Sequence, residues 1–242
     1  MITLFTYAPA FGEFSASPFC VKAAWLLNLS GLPWQRKDTN DPRSFPNQKL
    51  PAIGVDGRII GDSDNIRRYL EQQGAVFDAG LTDIEKSTSR AFIRMAEEHL
   101  YFHVMLDRWA DDERWPLIRE TYFASIPKPL RKFITGKIRR DVLHGMRTQG
   151  LGRLTPVERQ DRIEPDLQAI TIRLWQGKFL FADHPTAADT SVAAMLAAVC
   201  ATPGASLLKE RITKDEVLSS YIARTKRAMA APLSAASERL CA

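Results

Sequence analysis

The stretch KLPAIGVDGRIIGDSDNI, residues 49–66, holds the pattern that decides the fold. Two short apolar runs, 52–55 and 58–60, flank Asp56-Gly57, a dipeptide typical of a two-residue hairpin turn. Asp62-Ser63 follows, and the apolar residues behind it recur at the i, i+3, i+4 spacing of a helix. This stretch therefore predicts two antiparallel strands and then a helix, which Gly74 ends.

The residues before this stretch predict a strand, a helix and a second strand. Residues 2–7 alternate as a strand does, and residues 34–37 form a weaker one. Between them Ser17 stands at the N-cap position of a helix, Pro18 at its first turn and Gly31 at its end. The first 75 residues thus read as β-α-β followed by β-β-α, which is an α/β domain.

The residues after about position 80 are helical in pattern. Capping boxes predict helix starts at Thr82-x-x-Glu85, Thr155-x-x-Glu158 and Thr213-x-x-Glu216. A fourth box, Thr186 with Asp189, precedes an apolar, Ala-rich run that predicts a central buried helix. Pro165 lies inside the segment that Thr155 opens, so we expect that helix to kink or restart there.

Composition excludes several classes of protein. The 242 residues are 45% hydrophobic and 25% charged, as in globular proteins, and long enough to fold without a stabilising cofactor. Three cysteines without a ligand pattern indicate neither a disulfide framework nor a metal site. Residues 1–10 lack the features of a signal peptide. The uncharged run 190–208 is broken by Pro203-Gly204, so it predicts a buried helix and not a transmembrane one. We therefore expect a cytoplasmic protein.

Positive charge is concentrated in one part of the second half. The net charge is +5, and residues 128–140 hold six basic side chains and no acidic one. The apolar residues Leu130, Phe133, Ile134 and Ile138 share one side of this predicted helix. We favour a solvated helix that covers the domain; the alternatives are weak contact with an anionic membrane surface or an acidic partner. No motif supports nucleic-acid binding.

Three spaced features give the chain a resemblance to the cytosolic glutathione transferase superfamily. Ser17-Pro18-Phe19-Cys20 opens the first helix where glutaredoxins and omega-class transferases place Cys-Pro, so the cysteine is here a serine. Lys49-Leu50-Pro51 resembles the cis-proline turn, and Asp62-Ser63 the dipeptide that binds the γ-glutamyl group. Thr186-Ala-Ala-Asp189 resembles the N-capping box of the second domain.

A narrower resemblance concerns the second half. Residues 97–101, Arg108-Trp109 and residues 150–153 are similar to the metaxin and failed-axon-connections branch. That branch includes proteins better described as adaptors or targeting factors than as enzymes, so the fold does not decide the activity.

The resemblance implies a fold, a domain organisation and a ligand. It implies a thioredoxin-like domain over 1–75, a linker over 76–81 and an all-α domain over 82–242, with a basic insertion at about 111–150. Glutathione would be a co-substrate, and no cofactor or metal is implied. Homodimers are common in the superfamily, so we expect one here.

The resemblance also assigns roles to residues of the glutathione site. Leu50, before a cis Pro51, would pair its backbone with the cysteinyl residue. Ser63, beside Asp62, would hold the γ-glutamyl carboxylate at a helix N-terminus, although this pair is also a plain helix cap. The remaining candidates are Phe19, with Lys37 and Lys49 as partners of the glycyl carboxylate or as ordinary surface lysines.

Conjugation needs the thiol of glutathione ionised near neutral pH, whereas a free thiol titrates near pH 8.5. A hydroxyl at the positive end of a helix lowers that pKa, and Ser17 offers one as the catalytic candidate. The alternatives are that Ser17 only caps its helix, or that Ser15 or Tyr7 has this role. Cys20 is expected to be buried, because it lies one turn into the helix.

Two hypotheses on function follow. The first is a glutathione transferase that conjugates glutathione to a small apolar electrophile. The second is a non-catalytic metaxin-like adaptor that binds a protein or a membrane surface through residues 111–150.

His99 and His103 have an i, i+4 spacing that suits a metal, but no third ligand is evident and we predict no metal site. Of the aromatic stripe Tyr101, Phe102, Trp109 and Trp115, most is expected in the core between domains and part in the electrophile pocket.

Overall fold

The computed structural model describes residues 1–230. The last twelve residues of the predicted all-α domain, 231–242, lie outside the described part, and Cys241 with them.

The first domain is a four-stranded mixed sheet in the order β2-β1-β3-β4. Strand β1 pairs in parallel with β2 and antiparallel with β3, and β3 pairs antiparallel with β4. The turn at Asp56-Gly57 has both residues at positive φ, as the two-residue hairpin requires. The strands are β1 (Ile2–Thr6), β2 (Trp34–Asp38), β3 (Ala52–Val55) and β4 (Arg58–Gly61).

Helices make up the rest of the described elements, apart from short 3₁₀ turns. Two of them belong to the sheet domain: α1 (Pro18–Ser30) and α2 (Ser63–Gln72). The others are α3 (Asp83–Met95), α4 (Tyr101–Trp109), α5 (Trp115–Tyr122), α6 (Lys128–Gln149), α7 (Pro156–Leu174), α8 (Ala187–Ala201), α9 (Leu207–Lys214) and α10 (Glu216–Ala230). The predicted fold class, a thioredoxin-like α/β domain followed by a helical region, is confirmed.

The core lies where α1 of the first domain packs against α8 of the second. Helix α1 begins at Pro18, as predicted, and Gly31 ends it in the left-handed conformation. Helix α8 is buried along nearly its whole length, so the prediction of a central buried helix is confirmed. Because α8 packs against α1 and also against helices of the second domain, it fixes the position of α1 relative to that domain.

Three of the four predicted capping boxes are present, at Thr82, Thr155 and Thr186. At the last of these, the carboxylate of Asp189 also accepts hydrogen bonds from the Leu180 N–H at 3.0 Å and the Tyr221 hydroxyl at 2.8 Å. This buried carboxylate thus joins α8, α10 and the loop before α8. Burial raises the pKa of Asp189, and these hydrogen bonds oppose the rise.

One predicted helix start was wrong, and of the two outcomes predicted at Pro165 the restart is excluded while the kink stays a prediction. The Thr213 box does not form, because α9 runs to Lys214 and the carboxylate of Asp215 accepts from the N–H groups of Val217 and Leu218 at the start of α10. Helix α7 continues through Pro165 without a restart. Residues on both sides of Pro165 are buried against the core, and this packing holds the helix together despite the missing N–H donor.

A π-helical turn, Ala96–Leu100, joins α3 and α4 into one long helix. The extra residue in this turn changes the direction of the side chains that follow it. Glu97, inside the turn, is buried and faces α1.

Candidate functional site

The hydroxyl of Ser17 is not used to cap helix α1. Ser17 has extended backbone angles and makes no side-chain capping bond, while its carbonyl accepts from the N–H groups of Cys20 and Val21 at 3.1 Å each. The residue is half-buried at the positive end of the helix. The capping alternative for this hydroxyl therefore has no support in the geometry.

Two further hydroxyls and a thiol surround Ser17. Ser15 is buried, and its hydroxyl accepts the N–H of Ser17 at 3.3 Å. Burial raises the pKa of Tyr7 to about 12, with the nearby Cys20 and Tyr101 adding to the rise, so Tyr7 keeps its proton at neutral pH. Cys20 is fully buried, as predicted, and burial raises the pKa of its thiol.

Arginine side chains hold the loop that carries Ser17. Arg108, buried in α4, donates to the carbonyl of Ala16 at 2.8 Å and also to Tyr122, Thr202 and Ala198. It thus ties the residue before Ser17 to three helices of the second domain. Arg108 was not among the predicted site residues, because its role depends on partners about 90 residues away along the chain.

The far side of the same loop is fixed from strand β2. Arg36 donates to the carbonyls of Phe14 at 2.7 Å and Tyr7 at 3.2 Å, and its guanidinium lies 4.0 Å from the centre of the Phe14 ring. Lys226 of α10 forms an ion pair with Glu13. Ser17 therefore stands on a loop held at several points.

Leu50 offers its backbone at the start of strand β3. The Leu50–Pro51 peptide bond is cis. The Pro51 carbonyl accepts the N–H of Asp62 at 3.2 Å, whereas the N–H and C=O of Leu50 have no backbone partner within residues 1–230. The Leu50 side chain packs with Cys20 and Tyr7, which places this peptide edge beside the start of α1.

Asp62, and not Ser63, caps helix α2. The Asp62 carboxylate accepts from the N–H groups of Asp64 at 2.8 Å and Asn65 at 3.3 Å. Its φ of 77° is rare for a residue with a side chain, and such strain is concentrated at functional sites. Ser63 is only 4% exposed, and within the described chain neither its N–H nor its hydroxyl has a hydrogen-bond partner. Two donors at a helix N-terminus are thus free to hold an anion.

A buried lysine of α1 links helix α2 to the π-turn between α3 and α4. Lys22 of α1 is 1% exposed, and its ammonium lies 2.5 Å from Glu97 and 3.0 Å from Asp64. Asp64 also pairs with Arg90 and Arg94. Burial alone would raise the pKa of Asp64, but the cations outweigh it and hold that pKa below its usual range.

Lys22 was not among the predicted site residues, although one signal in the sequence was present. It is the only charged residue in the run PFCVKAAWLL, whose neighbours are buried on all sides. A lone charge in such a run indicates either an exposed strip or a buried ion pair. Only the structure shows that α2 and the π-turn supply the acids.

Comparisons with known proteins agree with this fold. A family model described as the glutathione S-transferase N-terminal domain matches residues 18–114. The isoprene-epoxide glutathione S-transferase of Rhodococcus sp. (strain AD45) is 29% identical over 239 residues, 94% of this chain and 98% of that protein. A solved glutathione S-transferase of Ceriporiopsis subvermispora, in complex with glutathione, has a TM-score of 0.60 at 17% identity, covering 96% of this chain and 98% of that one.

The chain resembles the glutathione transferase superfamily in sequence and in fold. It also resembles the metaxin branch, as the sequence predicted: mouse metaxin-1 is 26% identical over 204 residues, which are 80% of this chain and 64% of that protein. The chain thus matches only about two thirds of the length of these relatives.

The outer candidates for the transferase site lie at the surface. Lys37 and Lys49 are both exposed, and the ammonium of Lys37 stands 5.5 Å from the centre of the Phe5 ring. Phe19 is half-buried and packs edge-on against Tyr101, with ring centres 4.7 Å apart. Phe19 thus touches the second domain, which the site assignment did not foresee.

The four side chains of the aromatic stripe pack in three different clusters. Trp109 and Trp115 pack on each other at 5.1 Å in a cluster with Phe123, and Phe102 packs in another near α6. Tyr101 meets the first domain at Phe19, and the cluster of Trp109 and Trp115 meets it at Phe11.

The histidine pair lies beside α7. The His99 Nδ1 atom is 2.6 Å from an Asp166 carboxylate oxygen, and the two histidine rings stack edge-on at 5.1 Å. Burial lowers the pKa of His103 to about 3, so this ring stays neutral. Across residues 1–230 no group of three or more His, Cys, Asp or Glu is arranged to hold a metal ion. None of the helices in that range is both long and apolar enough to cross a membrane.

Proposed function

We propose that the protein is a glutathione transferase that binds glutathione and conjugates its thiolate to a small apolar electrophile. The observation that carries the proposal is that Asp62 caps α2 and leaves both donors of Ser63 free. An adaptor has no physical need for a free anion site at this helix N-terminus, whereas a transferase uses it for the γ-glutamyl carboxylate.

In this proposal, each site residue contacts a different part of the bound tripeptide. Ser63 holds the γ-glutamyl carboxylate, the Leu50 backbone pairs with the cysteinyl residue, and Lys37 or Lys49 meets the glycyl carboxylate. Ser17 then donates its hydroxyl hydrogen to the sulfur at the positive end of α1, which lowers the pKa of the thiol. The thiolate forms a bond to a carbon of the electrophile.

The class of electrophile follows from the bacterial relative. That protein is named for an epoxide of isoprene, which is a small apolar molecule with a strained ring. We propose an epoxide of this kind: attack by the sulfur opens one C–O bond, and the ring oxygen takes up a proton.

The Ser63→Ala variant tests the binding site. Loss of one hydrogen bond to a carboxylate costs about 1.5–3 kcal/mol, so we expect roughly 10- to 150-fold weaker glutathione binding by calorimetry. The melting temperature should be unchanged, since Ser63 does not cap α2.

Ser206→Ala is the matched control, because the Ser206 hydroxyl accepts the Lys209 N–H and caps α9. This control should lower the melting temperature and leave glutathione binding unchanged. If Ser63→Ala behaves like Ser206→Ala, Ser63 is structural and the anion site is refuted.

A non-catalytic adaptor is the second candidate function. The similarity to metaxins over 80% of the chain favours it, as does the pair of helices α5 and α6 within the insertion. Retention of the purified protein on glutathione-agarose separates the two candidates: a transferase is retained and eluted by free glutathione, and an adaptor without the peptide site passes through.

The expected homodimer and the cytoplasmic location belong to the same proposal and rest on the resemblance and the composition. Light scattering at micromolar concentration should give twice the chain mass of 27.2 kDa.

A further inference from the structure

Helix α6 is oriented opposite to the expectation from its sequence. Its apolar residues Leu130, Phe133 and Ile134 are 56%, 84% and 38% exposed. The polar residues Arg131 and Thr135 are buried instead. Over its first two turns, the predicted solvated helix therefore covers the domain with its polar side.

Hydrogen bonds of Arg131 explain the orientation. Its guanidinium donates to the carbonyls of Ala124 at 2.8 Å and Ile126 at 3.0 Å and forms an ion pair with Glu120. The Thr135 hydroxyl donates to the Arg131 carbonyl at 2.7 Å, one turn further along. Because Arg131 satisfies the loop between α5 and α6, the opposite side of the helix must face outward.

The exposed side is also strongly basic. Lys137 and Arg140 follow Phe133 at i+4 and i+7, so they continue the same side of the helix, and Lys132 is exposed at its border. Within the described chain, no carboxylate lies within 4.0 Å of these three cations. We call Leu130, Phe133, Ile134, Lys137 and Arg140 the α6 outer face.

We propose that the α6 outer face binds the surface of an anionic lipid bilayer. The three apolar side chains enter the boundary between headgroups and acyl chains, and the cations remain at the level of the lipid phosphates. Charge complementarity selects this partner, because residues 128–140 contain six cations and no acid. A flat partner also suits a helix of 22 residues, about 33 Å long, that is exposed along one side.

The test uses the purified full chain and sedimentation with vesicles. Vesicles of phosphatidylcholine alone are compared with vesicles that also contain phosphatidylserine, each at low and high salt. We expect binding to the anionic vesicles, little binding to the neutral ones, and release by salt.

Two variants locate the contact. Phe133→Ser should weaken vesicle binding roughly tenfold or more, because the apolar ring no longer enters the bilayer. Its matched control is Ile84→Ser, since the Ile84 side chain is 80% exposed, close to the value for Phe133, but lies on α3. The double variant Lys137→Glu, Arg140→Glu should weaken binding about fivefold or more for each position. Its control, Lys86→Glu, Lys214→Glu, makes the same change of net charge elsewhere.

The outcomes separate a membrane from other partners. Vesicle binding that depends on phosphatidylserine and on Phe133, with both controls binding like the parent, supports the proposal. Absence of binding, equal binding to neutral vesicles, or equal loss in the controls overturns it. A parent dimer that Phe133→Ser converts to a monomer without change in vesicle binding would show that a second copy covers this face, which also overturns it. Circular dichroism melting confirms that each variant is folded.

Discussion

Lys22→Met is expected to lower the free energy of unfolding by about 3 kcal/mol or more. The substitution removes a buried cation and leaves the carboxylate of Glu97 with only the Ser191 hydroxyl at 2.7 Å and a more distant Arg94 at 3.7 Å. Asp64 keeps its pairs with Arg90 and Arg94, so the cost arises mainly at Glu97. Urea unfolding measures this loss.

The matched control for this prediction is Lys214→Met. Lys214 also pairs with a glutamate, Glu210 at 3.2 Å, but its side chain is 78% exposed, so this substitution should cost well under 1 kcal/mol. Adding Glu97→Gln to Lys22→Met should restore part of the stability, because the unpaired charge is then absent. If the two methionine variants unfold at the same urea concentration, Lys22 does not join the domains as described.

Ser17→Ala is expected to reduce conjugation by about 10²-fold, the order found for the loss of one donor to a developing anion. Glutathione binding should change little, because the substitution leaves the proposed contacts of Ser63 and Leu50 with the peptide in place. The pKa of the bound thiol should rise toward its free value, which the pH dependence of the rate reports directly. The fold should be unaffected, since the Ser17 hydroxyl makes no capping bond.

Ser15→Ala and Tyr7→Phe are the comparisons for this second prediction. Ser15 is buried and accepts the Ser17 N–H, so its loss should lower stability more than it changes the thiol pKa. Should Ser17→Ala leave the pH profile in place while Tyr7→Phe moves it, the hydroxyl that activates the thiol belongs to Tyr7.

Local signals were enough to predict the order of strands and helices in the first domain, and the resemblance to a known superfamily supplied the fold. The hairpin at Asp56-Gly57, the helix starts at Pro18 and Asp62, and three capping boxes are each specified by residues close in sequence. The box predicted at Thr213 does not form, because Asp215, two residues further on, caps α10 instead. A search for residues at a fixed spacing does not detect such a competing cap.

The contacts that position the site were beyond the reach of sequence patterns. Lys22 reaches Glu97 across 75 residues, and Arg108 reaches Ala16 across 92. The orientation of α6 depends on where Arg131 finds acceptors, and hydrophobic periodicity favoured the opposite side. In each case a buried charge overrides the local pattern, because leaving it unpaired would cost more than exposing an apolar side chain.

The ultraviolet absorbance of the bound thiolate tests the central claim most directly. The parent protein is titrated at neutral pH with glutathione and, as a matched control, with S-methylglutathione, which binds through the same groups but has no thiol to ionise. We predict a thiolate band with glutathione, none with the methylated peptide, and loss of the band in Ser17→Ala. Binding of both peptides by calorimetry with no thiolate band in the parent would contradict the account.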